Sequence, residues 1–308
     1  MLWYIGRRLL QVIPVFIGAT LLVYGMVFLR PGDPVAALGG ERGLPEAVQE
    51  AIRAQFHLNE PFFVQYLYFL KGIFTWDLGP DFTGQPVTET IANAFPVTFE
   101  LAVMAIVIET VFGIGFGLIA GLRKGKVFDS TVLVWSLLLI ALPTFVLGFV
   151  AQIFLGVKLG WLPVTAGRDP NFESLLMPAM VLAGTSLAYI LRLTRTSVAE
   201  TITADHVRTA RAKGLSRGQV TQRHVLRNSL IPVVTFIGAD LGNLMAGSIV
   251  TEGIFNINGV GGTLFQSIVR GENVTVVTIT TILVLVYIAA NLIVDLLYAV
   301  LDPRIRYA

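Results

Sequence analysis

The sequence predicts an all-α polytopic membrane protein with six transmembrane helices. Three observations carry this. Of the 308 residues, 55% are hydrophobic and only 14% charged; the mean hydropathy is +0.74; and six separate stretches stay apolar over the roughly 20 residues that a helix needs to cross a bilayer core. Soluble domains carry about 25% charged residues, so a chain this poor in charge cannot clothe a globular surface. The composition also excludes whole classes of function. A balance of 22 Lys and Arg against 20 Asp and Glu leaves no basic excess for nucleic acid. The absence of Cys removes disulfide scaffolds, thiol chemistry and Cys-based metal sites.

The first expected span, 9–29, follows Arg7 and Arg8 as a secretory signal would. Its apolar run exceeds the roughly 7 to 15 residues of a signal core and has no small-residue cleavage site, so it reads as a retained helix. Residues 30–96 are too long for a simple connection. Within them Pro45 opens a helix with Val48, Ile52 and Phe56 on one face. A second apolar run over 62–74 carries Phe62, Phe63, Tyr66, Tyr68 and Phe69, which suits a small external subdomain lying on the membrane face.

The second span, 97–120, holds Gly113 and Gly117, with Gly121 just beyond. The fifth, 231–250, holds Gly238, Gly242 and Ala246. Small residues at every fourth position let helix backbones approach closely. The third and fourth spans are expected over 132–156 and 175–191, and the sixth over 276–301. The divisions expected are therefore 1–29, 30–96 and 97–308.

Between the fourth and fifth spans lies a basic loop, 194–229. Asp205 is an acceptable N-cap, Val207 to Lys213 contain no helix breaker, and Gly214 is a good stop, so a helix of about two turns is expected there. Its basic residues, Arg208, Arg211, Lys213 and Arg217, set orientation as well, because Lys and Arg flanks stay cytoplasmic. Placing the N-terminus inside puts Arg7, Arg8, Arg123, Lys124, Lys126, the eight basic residues from Arg192 to Arg227, Arg304 and Arg306 on the cytoplasmic side. Arg30, Arg42, Arg53, Lys71, Lys158, Arg168 and Arg270 fall outside, scattered over longer loops. Both termini are then cytoplasmic. Plain topology accounts for the basic loop without any specific contact.

The residues of that loop say more. Val207-Arg208-Thr209-Ala210-Arg211-Ala212-Lys213-Gly214-Leu215-Ser216, followed by Arg223-His224-Val225-Leu226-Arg227-Asn228-Ser229-Leu230-Ile231-Pro232, closely resembles the cytoplasmic loop of bacterial ABC-importer permeases for dipeptides and oligopeptides. The likeness covers nearly the whole chain. It includes Pro31-Gly32-Asp33-Pro34, Asp77-Leu78-Gly79, Pro96-Val97-Thr98-Phe99-Glu100-Leu101 and Leu159-Gly160-Trp161-Leu162-Pro163. It continues through Thr251-Glu252-Gly253-Ile254-Phe255 with Gly259 and Gly261, Asp295-Leu296-Leu297-Tyr298, and Asp302-Pro303-Arg304-Ile305-Arg306-Tyr307.

The resemblance implies a six-helix permease subunit that pairs with a second, homologous one in the bacterial cytoplasmic (inner) membrane. It implies two ATPase subunits docked on the loop helix, spanning Asp205, Arg208, Thr209, Ala210, Arg211, Ala212, Lys213, Gly214 and Leu215. A solute-binding protein outside would deliver dipeptides, oligopeptides or another solute such as nickel complexes. The Glu-Ala-Ala signature of permeases at large is replaced here by Arg208, Thr209 and Ala210 with Gly214 retained, as the peptide branch usually shows. Asn258 stands where the family often has Pro.

The chain itself shows no phosphate-binding motif: the Gly-Lys pair of 121–126 has the wrong spacing and no Ser or Thr after the Lys, and the glycines of 113–117 follow no strand. On this reading it is no enzyme and binds no cofactor or metal, leaving ATP and Mg to its partners. The histidines, His57, His206 and His224, form no catalytic or metal set. Ionisable groups inside spans are candidates for a translocation path because burying them is costly. Glu100 and Glu109 share the second span on opposite faces. Asp240, with Asn243 one turn on, could face a polar cavity and meet a peptide amino group. Asn291, Asp295, Tyr298 and Asp302 form a stripe better suited to clamping helices. A proton-coupled secondary carrier using Glu109 or Asp240 is the main alternative, and an intramembrane hydrolase lacks a nucleophile and base.

Overall fold

The computed structural model describes residues 2–29, 35, 45–81, 84–167 and 169–301, side chains excepted at 2–5 and 294–301. The motifs at 31–34 and 302–307, Arg30, Arg42, Arg168 and the side chains of Asp295 and Tyr298 lie outside the described residues.

The first apolar helix is α1 (Leu2–Phe28). Next come α2 (Glu46–Gln55), α3 (Phe62–Thr75) and the 36-residue α4 (Val87–Leu122). Prolines 45, 61 and 86 stand immediately before these three helices, each with φ near −55°. A fixed φ and a missing N–H cost nothing at that position. Pro86 explains why α4 starts ten residues before the expected span and runs straight through Pro96. The added turns bury Val87, Ile91 and Ala94 in a cluster with Leu78, Val260, Leu264 and Ile279, which outweighs the lost hydrogen bond at Pro96.

Helix α3 packs along the C-terminal half of α1 instead of standing apart from it. The Phe74 ring meets Phe16 at 6.0 Å, the Tyr66 and Thr20 hydroxyls share a 2.7 Å hydrogen bond, and Phe62 meets Tyr24 at 5.7 Å.

The expected third span is not straight. It consists of α5 (Val127–Ala141) and α6 (Thr144–Ala151), the latter continued by a π-helical stretch, Gln152–Lys158, and the two arms are bent by 107°. Leu142, held extended at φ −91° and ψ 130°, precedes Pro143, whose ring disfavours helix in the residue before it.

Helix α7 (Phe172–Thr201) follows a complete capping box between Asn171 and Ser174. The basic segment then forms α8 (Asp205–Ala212), α9 (Arg217–Val220), a π-helical turn and the single turn α10 (Arg227–Ser229). Three helices complete the chain: α11 (Ile231–Phe255), α12 (Val260–Arg270) and α13 (Asn273–Leu301). Among the described residues, α1, α4, α7, α11 and α13 are each long and apolar enough to cross a membrane, and the bent α5–α6 pair brings the number to six if it is one span.

Among the described residues, the seam between α4 and α7 is the most extensive helix contact, and a close one. A Cβ on Gly113 would lie 2.6 Å from the Ile190 side chain, on Gly117 2.6 Å from the Leu191 carbonyl oxygen, and on Gly121 2.8 Å from the Arg195 carbonyl oxygen. Gly242 of α11 stands equally close to Tyr287 of α13. Leu101, Ala102, Ala105, Leu175, Met177 and Leu244 fill the core beside the seam.

Replacing Gly117 by Leu would force backbone apart from backbone along this seam. We expect a loss of about 1–3 kcal/mol, read as a lower midpoint in thermal unfolding of the detergent-solubilised protein. Gly115→Ala, whose Cβ meets open space, should leave the midpoint unchanged.

Candidate functional site

Two features of α8 make it a surface element on a firm base. Val207 and Ala210, three residues apart, point inward and are buried with Val198 of α7, Val220 and Val225, while Leu118 of α4, Ile202 and Leu215 close the cluster. On the other side Asp205, Arg208, Thr209, Arg211, Ala212, Lys213 and Gly214 are exposed. The helix is thus an apolar wedge beneath a basic, solvent-facing roof. Gly214 adopts φ +81°, its N–H bonding the Arg211 carbonyl and the Leu215 N–H reaching back to Ala210, which is how the helix ends.

The expected cap at Asp205 is not formed. Ala204, extended at φ −67° and ψ 151°, takes the cap position, and Asp205 is the first helical residue, its carboxylate 3.7 Å from Arg208. An acidic side chain in the first turn favours the helix dipole without capping it. Downstream, Ser216 and Gln219 form a capping box, and the Ser229 hydroxyl donates to the Val225 and Ser197 carbonyls, tying the segment back to α7.

The candidate path residues separate. Glu100 is exposed. Glu109 is fully buried, and its carboxyl faces that of Asp240 across the α4–α11 contact. The Asn243 side chain donates to Asp240 at 3.2 Å. Among the described residues, neither Glu109 oxygen nor Asp240 Oδ2 has a hydrogen-bond donor. In this conformation Glu109 and Asp240 are therefore interior groups. Among the described residues, no three His, Asp or Glu side chains are placed to hold a metal.

Two polar centres escaped the sequence reading. Thr98 and Glu252, each inside a quoted motif, meet across 154 residues: the Thr98 hydroxyl donates to Glu252 Oε1 at 2.8 Å and itself accepts the Val260 N–H, while Glu252 Oε2 accepts the Gly262 N–H at 2.7 Å. Gly259 lies so close to both side chains that a Cβ there would collide with them. This clasp joins α4, α11 and the start of α12. The motifs gave the residues but not their pairing. The second centre is a bidentate ion pair: Arg195 Nε and Nη2 reach Asp129 Oδ1 and Oδ2 at 2.8 and 2.7 Å, and Oδ2 also accepts the Gly125 N–H. Its sequence signal was an Asp opening one span and an Arg near the close of another, which is too common to single out.

Residues 113–307 match the family model for the inner membrane component of binding-protein-dependent transport systems, and residues 1–102 match that family's N-terminal membrane-component model. The chain is 37% identical to the dipeptide transport system permease protein DppB of Escherichia coli K12, over 100% of this chain and 99% of that one. It is 33% identical to the protein of the same name from Alkalihalophilus pseudofirmus, over 100% of both. It is also 36% identical to the di/tripeptide transport system permease protein DppB of Pseudomonas aeruginosa, over 100% of this chain and 99% of the other.

Glu252→Ala strands two buried donors, the Thr98 hydroxyl and the Gly262 N–H. Its expected cost is about 3 kcal/mol or more, seen as loss of the folded protein on size-exclusion chromatography after mild heating. Thr98→Ser keeps the hydroxyl and should be far milder.

Proposed function

The chain belongs to the inner-membrane components of binding-protein-dependent transport systems, and from that premise we propose that it is a permease subunit of an ATP-driven importer of dipeptides or oligopeptides. The observation that carries the proposal is α8, a basic helix with an exposed roof and a floor of Val207 and Ala210 locked against the end of α7. A partner ATPase seated on the roof could displace α8 only by displacing α7 with it, and α7 is fastened along its length to α4. A push from the cytoplasm thus becomes a rigid-body movement of spans, as alternating access requires. The exposed set is Asp205, Arg208, Thr209, Arg211, Ala212, Lys213 and Gly214, with Ala210 and Leu215 beneath.

The remaining parts of the assembly follow the family's general plan: a second homologous permease, two ATPases that bind ATP and Mg, and an extracytoplasmic binding protein that presents cargo. Peptide cargo is supported by the relatives, which are named as dipeptide and di/tripeptide transport permeases. Both termini are assigned to the cytoplasm on the distribution of Lys and Arg. Residues 30–96 are assigned to the outer side, with α3 lying along the outer half of α1, where they would meet the binding protein or cover the mouth of the path. Asp240, with Asn243 and Glu109, would serve cargo when α4 and α11 part, offering carboxylates to a peptide ammonium group.

Reconstitution with the partner subunits tests this reading. Arg211→Glu and Gly214→Val, the latter strained by about 1–2 kcal/mol at a left-handed position, should insert normally yet cut ATP-driven dipeptide uptake about tenfold. Normal uptake and normal ATPase binding in both would sink the assignment of α8. Asp240→Asn should lower peptide uptake and peptide-stimulated ATP hydrolysis together, and unchanged rates would remove Asp240 from the path. Uptake that persists without any ATPase would favour a secondary carrier instead.

A further inference from the structure

Helix α5 packs against α7 and α4 but buries few of its own side chains. Of its 15 residues two are buried, Asp129 and Ser136. The Ser136 hydroxyl bonds the Leu133 carbonyl of its own helix, whereas Val127, Val134, Trp135, Leu137 and Leu138 are exposed hydrophobics. Asp129 is therefore the polar tie of α5, among the described residues, and it is unusually complete. Both carboxylate oxygens are engaged by the Arg195 guanidinium, the second also accepts the Gly125 N–H of the turn between α4 and α5, and the Asp129 side chain is 3% exposed. A planar fork meeting a carboxylate along two parallel bonds fixes direction as well as distance, which a lysine ammonium cannot do.

The position of Arg195 matters as much as its geometry. One turn further along α7, Val198 enters the apolar floor of α8. Across the seam, Gly121 of α4 abuts both the Arg195 carbonyl and the Val198 side chain. The ends of α4 and α7, the floor of α8 and the start of α5 thus converge within two helical turns, and the ion pair is what brings α5 into that group. Beyond α5 lies the 107° bend to α6, whose Gly148 rests on Ile254 and Phe255 of α11.

We propose that the Asp129–Arg195 pair is a coupling latch: it makes α5, and through the bend α6, travel with α7 and α8 when the partner ATPases move. Both residues are positioning residues that touch no cargo. The proposal rests on the coupling role of α8 proposed above, and the experiment separates the two.

The complete transporter, reconstituted in proteoliposomes with its partner permease, ATPases and binding protein, is assayed for radiolabelled dialanine taken up per ATP hydrolysed. Dependence of wild-type uptake on ATP tests the transporter reading first, and Arg211→Glu in the same assay tests the role of α8, before either latch variant is compared. In Asp129→Asn and Arg195→Lys, ATP hydrolysis should stay within about twofold of wild type while uptake per ATP falls about tenfold, and the charge exchange Asp129→Arg with Arg195→Asp should recover most of the loss. An unchanged ratio in both single variants overturns the latch. So does a parallel fall of uptake and hydrolysis, or a failure of both variants to insert, since a purely structural tie would give either result. If Asp129→Asn alone fails to insert, Arg195→Lys decides, because it keeps the positive charge and removes only the fork.

Discussion

The backbone seam between α4 and α7 is the constraint from which the rest of the molecule follows. Three glycines at every fourth position leave one face of α4 without side chains, and the carbonyls and side chains of α7 occupy the space. In a bilayer, apolar side chains gain nothing by leaving lipid for one another, so close approach and satisfied polar groups must hold helices together. The seam supplies the first of these. It also sets the phase of both helices: Glu109 stands one turn before Gly113, and Arg195 and Val198 stand opposite Gly121. A side chain inserted anywhere along it would shift all of these groups together.

Polar contacts complete what the seam begins, and they do so at opposite ends of the bundle. Thr98 and Glu252 fix α4 to α11 and set the start of α12, using every oxygen in a place where an unmatched one would be costly. Asp129 and Arg195 do the same for α5. Between them, Glu109 and Asp240 break the pattern, because they set two buried carboxyls against each other with no cation between among the described residues. Buried ionisable groups in that condition are candidates for a functional site rather than for stabilisation, which is the role proposed for them above. Coupling and cargo would then be handled by different layers of one bundle.

Much of this was legible in the sequence, and the reasons are specific. The spans could be read because crossing a bilayer demands a length and a composition that few other structures share. The glycine stripe could be read because its spacing has one main physical use in such a setting. Gly214 could be read because a left-handed stop favours that residue. What could not be read was pairing. Nothing in the neighbourhood of Thr98 announces Glu252, and nothing near Asp129 announces Arg195, since such contacts are decided by how whole helices register. The early start of α4 was hidden by Pro96, which reads as a boundary until the burial of Val87, Ile91 and Ala94 outweighs it. Asp205 looked like a cap because its chemistry suits one, but the chain turns one residue sooner, at Ala204.

The bend between α5 and α6 has a further consequence, for solvation. At 1.5 Å per residue, α5 reaches about 22 Å, short of a hydrocarbon core of about 30 Å, so neither arm could cross alone. At the joint, Pro143 has no N–H to offer the Leu139 carbonyl, and Ala141, Leu142 and Pro143 are uncovered by the rest of the chain. Acyl chains carry no donors, and a carbonyl freed from its helix is tolerated at membrane depth where protein or water meets it. The stretch of this span least suited to oil is therefore its elbow, which at membrane depth has to be met by protein or water.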